Sequence, residues 1–325
     1  MRLTSPSQRD RRNCPRSSAV VLGLALTASI GGVLALAAAS RHAPIVLIDV
    51  GVEDLDGRTI AGLTRDDFEI VSDGGVRPLE FFAAGRQQPL SLIVLVDVSL
   101  SMEFRGKRSV IREEVERRFP LLLAPHDRVQ AGAFARRISI SPPFAGNSKA
   151  FLTAVRKTLD HRDEETLGPS RIWDAVDEAI KALALSDGRR AVLLVTDGQA
   201  TGNQFGPQEV AMRAVAAGVA VSVVGLDWER TIRQDAETGV RVRPGVALEW
   251  IAGATGGRYL RDQLMPAEPG PVLERLLADL HERYTLGFTP PVADGKMHDL
   301  EVRVRKSGVR LRARRSYLAP PNSEP

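Results

Sequence analysis

At 325 residues the chain has room for two domains, one with a sizeable core, and its 43% hydrophobic and 26% charged residues exclude intrinsic disorder of the whole. A net charge of +4 says little about partners, because much of the basic excess sits at the two ends of the chain. The single cysteine, Cys14, precedes a long apolar run, which excludes an internal disulfide, thiol catalysis and cysteine-ligated metal in everything after that run.

Residues 1–42 open with Arg2, Arg9, Arg11, Arg12 and Arg16 and continue into Ala19 to Ala39, an uncharged run of Val, Leu, Ala and Gly. Its length, near the roughly 20 residues a spanning helix needs, fits a membrane anchor. Ala37-Ala38-Ala39 before Ser40 fits the cleavage site of a signal peptide. Either way the basic flank stays inside, and the remainder is expected in the periplasm or outside the cell, touching membrane only through this segment if it is uncleaved.

Residues 43–88 read as a β segment. Ile45 to Val52 and Phe68 to Val71 are apolar and β-branched, Asp56-Gly57 and Asp73-Gly74-Gly75 mark turns, and Val76 to Phe82 is a further extended stretch. From Pro89 the texture changes to alternating strands and helices. Leu92 to Val98, Ala191 to Val195 and Val219 to Leu226 are wholly apolar strands, and Val129 to Ile140 is a strand pair. Helical patterns cover Val110 to Leu123, Ser148 to Leu159, Ile172 to Leu185, Pro207 to Ala217, Ala247 to Ala254 and Pro271 to Tyr284. This alternation predicts an α/β domain over 89–283, a doubly wound and mostly parallel sheet. Asp227 to Pro244 is charged and reads as a surface hairpin or mobile loop.

Residues 284–318 return to strands, predicted to pack with 43–88 as a flanking antiparallel β-domain built from both ends of the chain. Val302, Val304, Val309, Leu311 and Ala313 alternate with Arg303, Arg305, Arg310, Arg312 and Arg314, which predicts a half-buried hairpin turning at Lys306-Ser307-Gly308 with a solvated arginine face. No aromatic residues interleave with those arginines, so nucleic acid is not an expected partner. Residues 319–325, with Pro320-Pro321, read as a disordered tail.

Candidate chemistry begins where the strand from Leu92 empties into Asp97, Ser99 and Ser101. These are hard oxygen donors suited to Mg²⁺, Mn²⁺ or Ca²⁺, at the carboxyl end of a strand, where open α/β sheets bind ligands. An Asp-x-Ser-x-Ser run also caps helices, so partners are needed from other strand ends. Two suit: Asp197, in the Thr196-Asp197-Gly198 that ends the next apolar strand, and Ser170, before the helix containing Ile172-Trp173-Asp174-Ala175.

With these residues the chain resembles the von Willebrand factor A (VWA) domain, also found as the integrin inserted domain. The family's metal-ion-dependent adhesion site (MIDAS) joins Asp-x-Ser-x-Ser to a distant Thr and to an Asp often found in Thr-Asp-Gly. The resemblance covers about Pro89 to Tyr284 and assigns Asp97, Ser99, Ser101, Ser170 and Asp197 as metal ligands, with Ser170 where the family has threonine. Serine keeps the hydroxyl and loses the methyl that helps fix its rotamer. Asp56-Gly57 and Leu63-Thr64-Arg65-Asp66-Asp67-Phe68 resemble the segment preceding the domain in bacterial exported VWA-related proteins.

Two carboxylates and a few hydroxyls leave an octahedral shell incomplete. In the family the missing ligand is a partner protein's Asp or Glu carboxylate, so the resemblance implies an exported adhesion-type module with bound Mg²⁺, Mn²⁺ or Ca²⁺, and no catalysis. Two alternatives stand beside it: a structural cell-envelope protein with a degenerate site, which Ser170 permits, and a hydrolase using Ser99 or Ser101 with one of His126, His161, His281 or His298. No Gly-x-Ser-x-Gly elbow surrounds either serine.

Overall fold

The computed structural model describes residues 44–103, 107–146, 148–159, 168–226, 233–234, 241–242, 244–261 and 270–321. The apolar run Ala19 to Ala39, Cys14, His161 and most of the 227–244 loop lie outside them. Among the described residues no helix is long and apolar enough to cross a membrane.

The described residues begin with β1 (Val46–Asp54), β2 (Phe68–Ser72), β3 (Gly75–Arg77) and β4 (Phe81–Ala84). The α/β part runs through β5 (Leu90–Asp97), α1 (Leu100–Glu103), α2 (Lys107–Leu122), β6 (Arg128–Phe134), β7 (Ile138–Ile140), β8 (Phe144–Ala145), α3 (Lys149–Leu159), α4 (Ile172–Leu183) and β9 (Arg189–Thr196). It continues with α5 (Pro207–Ala217), β10 (Val219–Gly225), the short antiparallel pair β11 (Arg233–Gln234) and β12 (Arg241–Val242), α6 (Pro244–Ala254), β13 (Tyr259–Arg261) and α7 (Gly270–His281). The chain returns to β14 (Tyr284–Phe288), β15 (Met297–Val304), β16 (Val309–Arg312) and β17 (Ser316–Leu318).

The central sheet has the order β13-β10-β9-β5-β6-β7, with β8 also on β6. Its β13, β10, β9, β5 and β6 are parallel, and β7 and β8 are antiparallel additions at one edge. A strand in the middle of such a sheet is covered on both faces, which is why β5 can be apolar without alternation. Leu92, Val94 and Val96 join one core with residues of α2, α3 and α7, and Ile93 and Leu95 join the other with α4, α5 and α6. The helices have matching stripes: Phe151, Val155 and Leu159 recur every fourth residue of α3, and Ile172, Ala175, Val176, Ala179, Ile180 and Leu183 form the buried face of α4.

The two ends of the chain build a pair of four-stranded antiparallel sheets, ordered β16-β1-β14-β4 and β17-β15-β2-β3. β1 lies between β14 and β16, so N- and C-terminal segments alternate in the first sheet, and in the second they meet where β2 pairs with β15. A shared core of Ile48, Val50, Phe68, Ile70, Leu286, Phe288 and the rings of Tyr284 and Tyr317 fills the space between them. The fold is therefore mixed α/β, with a mostly parallel sheet and flanking antiparallel β structure drawn from both ends.

Four local expectations are corrected. Val76 to Phe82 is not one strand. β3 and β4 belong to different sheets, and Pro78, which lacks an N–H to extend a ladder, stands between them. The segments on either side of Lys306-Ser307-Gly308 do not form a hairpin: β15 pairs with β2 and β17, whereas β16 pairs with β1. The arginine face is also not all solvated. Arg312 bonds Asp279, and Arg314 donates to the carbonyls of Leu47 (2.7 Å) and Val215 (3.2 Å). Ala319, expected to open a disordered tail, is fully buried in the β core, and its N–H donates to the Lys296 carbonyl at 2.9 Å.

Candidate metal centre

Parallel pairing brings the carboxyl ends of β5, β6 and β9 to one edge. Val96 is in register with Val195, so Asp97 and Thr196 stand side by side, with Asp197 one residue further on. Asp97 is fully buried. Its Oδ1 accepts from the Ser99 N–H at 2.9 Å, and its Oδ2 accepts from the hydroxyls of Ser170 at 2.8 Å and Thr196 at 2.7 Å. The hydroxyls of Ser99 and Ser101 are 3.1 Å apart. Ser99, Ser170 and Asp197 are buried, while Ser101 is partly accessible.

The loops bearing Ser170 and Asp197 are joined to each other. Ser170 N–H donates to Thr201 Oγ1 at 3.0 Å, and Thr201 N–H donates back to the Ser170 carbonyl at 2.8 Å. Asp174, in the first turn of α4, accepts from the backbone N–H of Gln204 (2.9 Å) and Phe205 (3.1 Å), and Trp173 N–H donates to Asn203 Oδ1 at 2.8 Å. At the other loop Gly198 takes φ +79°, a region only glycine enters at little cost, and its N–H donates to Thr196 Oγ1 at 3.0 Å. Gln199 N–H donates to Asp197 Oδ1 at 3.2 Å. Each of these two loops is thus held by polar contacts, most of them part-buried.

Burial pushes the Asp97 carboxyl above its ordinary value, and the neighbouring negative charge of Asp197 pushes it further, against the hydrogen bonds from Ser99 and Thr196. Two neighbouring carboxylates in a buried setting leave a demand for positive charge. The donors also fit a hard cation. Two cis ligands of an octahedral Mg²⁺ with bonds of about 2.1 Å stand about 3 Å apart, and Ser170 Oγ and Asp97 Oδ2, at 2.8 Å, and the two serine hydroxyls, at 3.1 Å, already have that spacing. Among the described residues no group of three or more His, Cys, Asp or Glu forms a metal cluster, so this set depends on its hydroxyls.

The five residues singled out in the sequence therefore converge at one sheet edge. Thr196 was not among them, although it shares Asp97 Oδ2 with Ser170 and holds the turn at Gly198; it is the first residue of the Thr-Asp-Gly tripeptide, which was the available signal. Asp174, Asn203 and Thr201 carried no signal, because each acts on a loop some 30 residues distant in sequence.

Residues 91–240 match the family model of the von Willebrand factor type A domain. No curated protein matches the chain. Among solved structures the chain is similar to the conserved hypothetical protein BatB from Bacteroides thetaiotaomicron, at 20% identity over 59% of this chain and 97% of that one, with a TM-score of 0.44. It is also similar to the pilus adhesin SpaC from Lactobacillus rhamnosus GG, at 12% identity over 75% of this chain and 44% of that one, TM-score 0.46. A von Willebrand factor type A protein from Catenulispora acidiphila is similar at 10% identity over 88% of this chain and 76% of that one, TM-score 0.48. The motif order, the parallel sheet and the family match agree on a von Willebrand factor type A domain at residues 91–240.

Proposed function

We propose that the chain is an exported, metal-ion-dependent protein-binding module in which a divalent cation captures a carboxylate of a partner protein. The VWA domain fits a protein-interaction module. Mg²⁺ is the preferred ion, with Mn²⁺ or Ca²⁺ as alternatives, and Asp97, Ser99, Ser101, Ser170 and Asp197 are its ligands. The observation that carries this reading is the convergence of Asp97, Asp197 and three hydroxyls at one sheet edge, with Asp97 held by Ser170 and Thr196. Hydroxyls are weak donors, so the cation stays electrophilic towards an anionic oxygen from outside, and an Asp or Glu of another protein supplies one.

A non-catalytic role is supported by the surroundings of the serines. His281 is bonded to Asp127 beside Leu90, at the start of β5, and Ser99 lies beyond its far end, about 25 Å away for a strand of this length. His298 belongs to the β sandwich, on β15. Export rests on the basic and apolar start of the chain.

Calorimetric titration of Mg²⁺ into the chain tests the metal site. Saturable binding is expected, lost in Asp97→Ala. Equal binding by that variant, or none by the wild type, refutes the site.

A further inference from the structure

At the edge of the parallel sheet opposite the metal loop, the amino ends of β9 and β10 meet the β sandwich around a cavity of about 40 Å³. Three arginines line it: Arg189 and Arg190 at the start of β9, and Arg314 just beyond β16. One water needs about 10–15 Å³, so the space admits a compact ion and is far below the several hundred Å³ of a pocket for an organic ligand.

The arginines are held in place without being neutralised. Arg190 donates to the Ala184 carbonyl at 3.2 Å, and Arg189 donates to the carbonyls of Leu280 and, at 3.3 Å, Gln88. Arg314 is held by the Leu47 and Val215 carbonyls. Main-chain carbonyls orient a guanidinium but carry no net charge. In all three arginines the Nε–H is shielded from solvent and has no hydrogen-bond partner. Buried donors are normally satisfied, so three orphans around one small cavity mark the place of an acceptor.

Charge points the same way. Among the described lining residues Asp49 is the only carboxylate, and it already accepts the Thr285 hydroxyl at 3.1 Å. A Cβ built on Gly218 would stand 3.1 Å from Arg314 Nη1 and 3.3 Å from Arg190 Nη2, so two of the cations converge over that glycine. Burial pulls the Arg314 guanidinium down to about 10, with Asp49 opposing the fall and the Arg190 charge adding to it. Arg189 is lowered by burial too, with Asp49, Asp127 and Glu282 opposing and Arg283 adding.

We propose that this cavity holds one compact inorganic anion, a halide or a small oxyanion, which accepts from Arg189, Arg190 and Arg314. Arg189 and Arg190 belong to the central sheet and Arg314 to the flanking β structure, so the anion ties one to the other. The site is independent of the cation, since the length of β9, roughly 25 Å, separates it from Asp197.

Urea unfolding of the full chain in EDTA, with chloride or phosphate replacing bulky gluconate at constant ionic strength, tests the site. The midpoint should rise along a saturating curve, as it does for a ligand of the folded state. A rise with chloride alone identifies a halide site, and a rise with phosphate an oxyanion site. Arg190→Met should lose the response and be no less stable than wild type in gluconate, because it relieves the crowding of cations. Asp49→Asn should move half-saturation to about tenfold lower anion concentration by removing an opposing charge, and it keeps the test open if the first variant folds poorly. A flat or unsaturating wild-type curve with both anions overturns the site, as do curves unchanged in both variants.

Discussion

Asp127 and Asp97 are two buried carboxylates whose surroundings drive them in opposite directions. Burial raises both, but at Asp127 the bond to His281 (2.8 Å) and the N–H groups of Ala124 (2.7 Å) and Leu90 (3.1 Å) outweigh it and hold the carboxyl below its ordinary 3.8. A carboxyl lowered in the folded state binds protons less tightly than in the unfolded chain. Its stabilisation is therefore complete above the unfolded value and is lost as pH falls through the lower folded one. Asp127→Asn should destabilise the protein by about 3 kcal/mol at pH 7, with the gap from wild type narrowing below about pH 4; urea midpoints from pH 7 to pH 3 measure it. Asp97, raised in the folded state, has the opposite sign: its ionisation costs stability as pH rises. Asp97, Ser99 and Ser101 were legible because they follow one strand at alternate positions, Asp197 because it ends the next apolar strand, and Ser170 through its place before α4 and the family resemblance. Thr196 and Asp174 were not, since a hydrogen bond across strands or to a distant loop leaves no periodic mark in the sequence.

At the level of elements, local chemistry predicts helix limits well. Pro207 occupies the first turn of α5, and Gly218 ends it at φ +62°. The path of the chain out of α6 depends instead on contact with the sheet. Gly256, at φ +74°, turns the chain, and Gly257 donates its N–H to the Ala252 carbonyl at 2.8 Å. A Cβ on Gly257 would collide with the Val221 backbone carbonyl in β10, which is not a flexible obstacle. Gly257→Ala should cost about 3 kcal/mol by forcing α6 and β13 away from β10, seen as a lower urea midpoint with an unchanged slope. Strand pairing was the less legible element property. Alternating Val and Arg residues from Val302 to Arg314 specify two faces, but the same alternation suits a hairpin and a crossing between two sheets.

Across the whole molecule, the β sheets are joined to the α/β part by arginines on few carboxylates. Asp279 of α7 is fully buried, bonded to Arg312 of β16 and near Arg258 (3.6 Å) and Arg283 (3.5 Å). Arg258 also reaches Glu53 of β1 at 3.2 Å, and Arg258 and Arg275 both donate to the Gly57 carbonyl, at 2.9 and 2.7 Å. Removing one partner of a buried ion network strands the others, so Asp279→Ala should lower stability by about 3–5 kcal/mol. Chemical denaturation followed by far-ultraviolet dichroism checks this, and a loss below about 1 kcal/mol would show that the arginines find other acceptors.

The sequence by itself determined the α/β class, the apolar central strands, the turns and the five metal-site candidates, because each depends on composition, local periodicity or position at a strand end. Only the tertiary structure decided which sheet each terminal strand joins, that Arg312 and Arg314 turn inward, and that Ala133, Ala135, Ala150 and Ala154 leave a cavity between β6 and α3. These depend on which surfaces meet across long stretches of chain, and an alternating strand or an alanine on a helix has the same local pattern whatever it packs against.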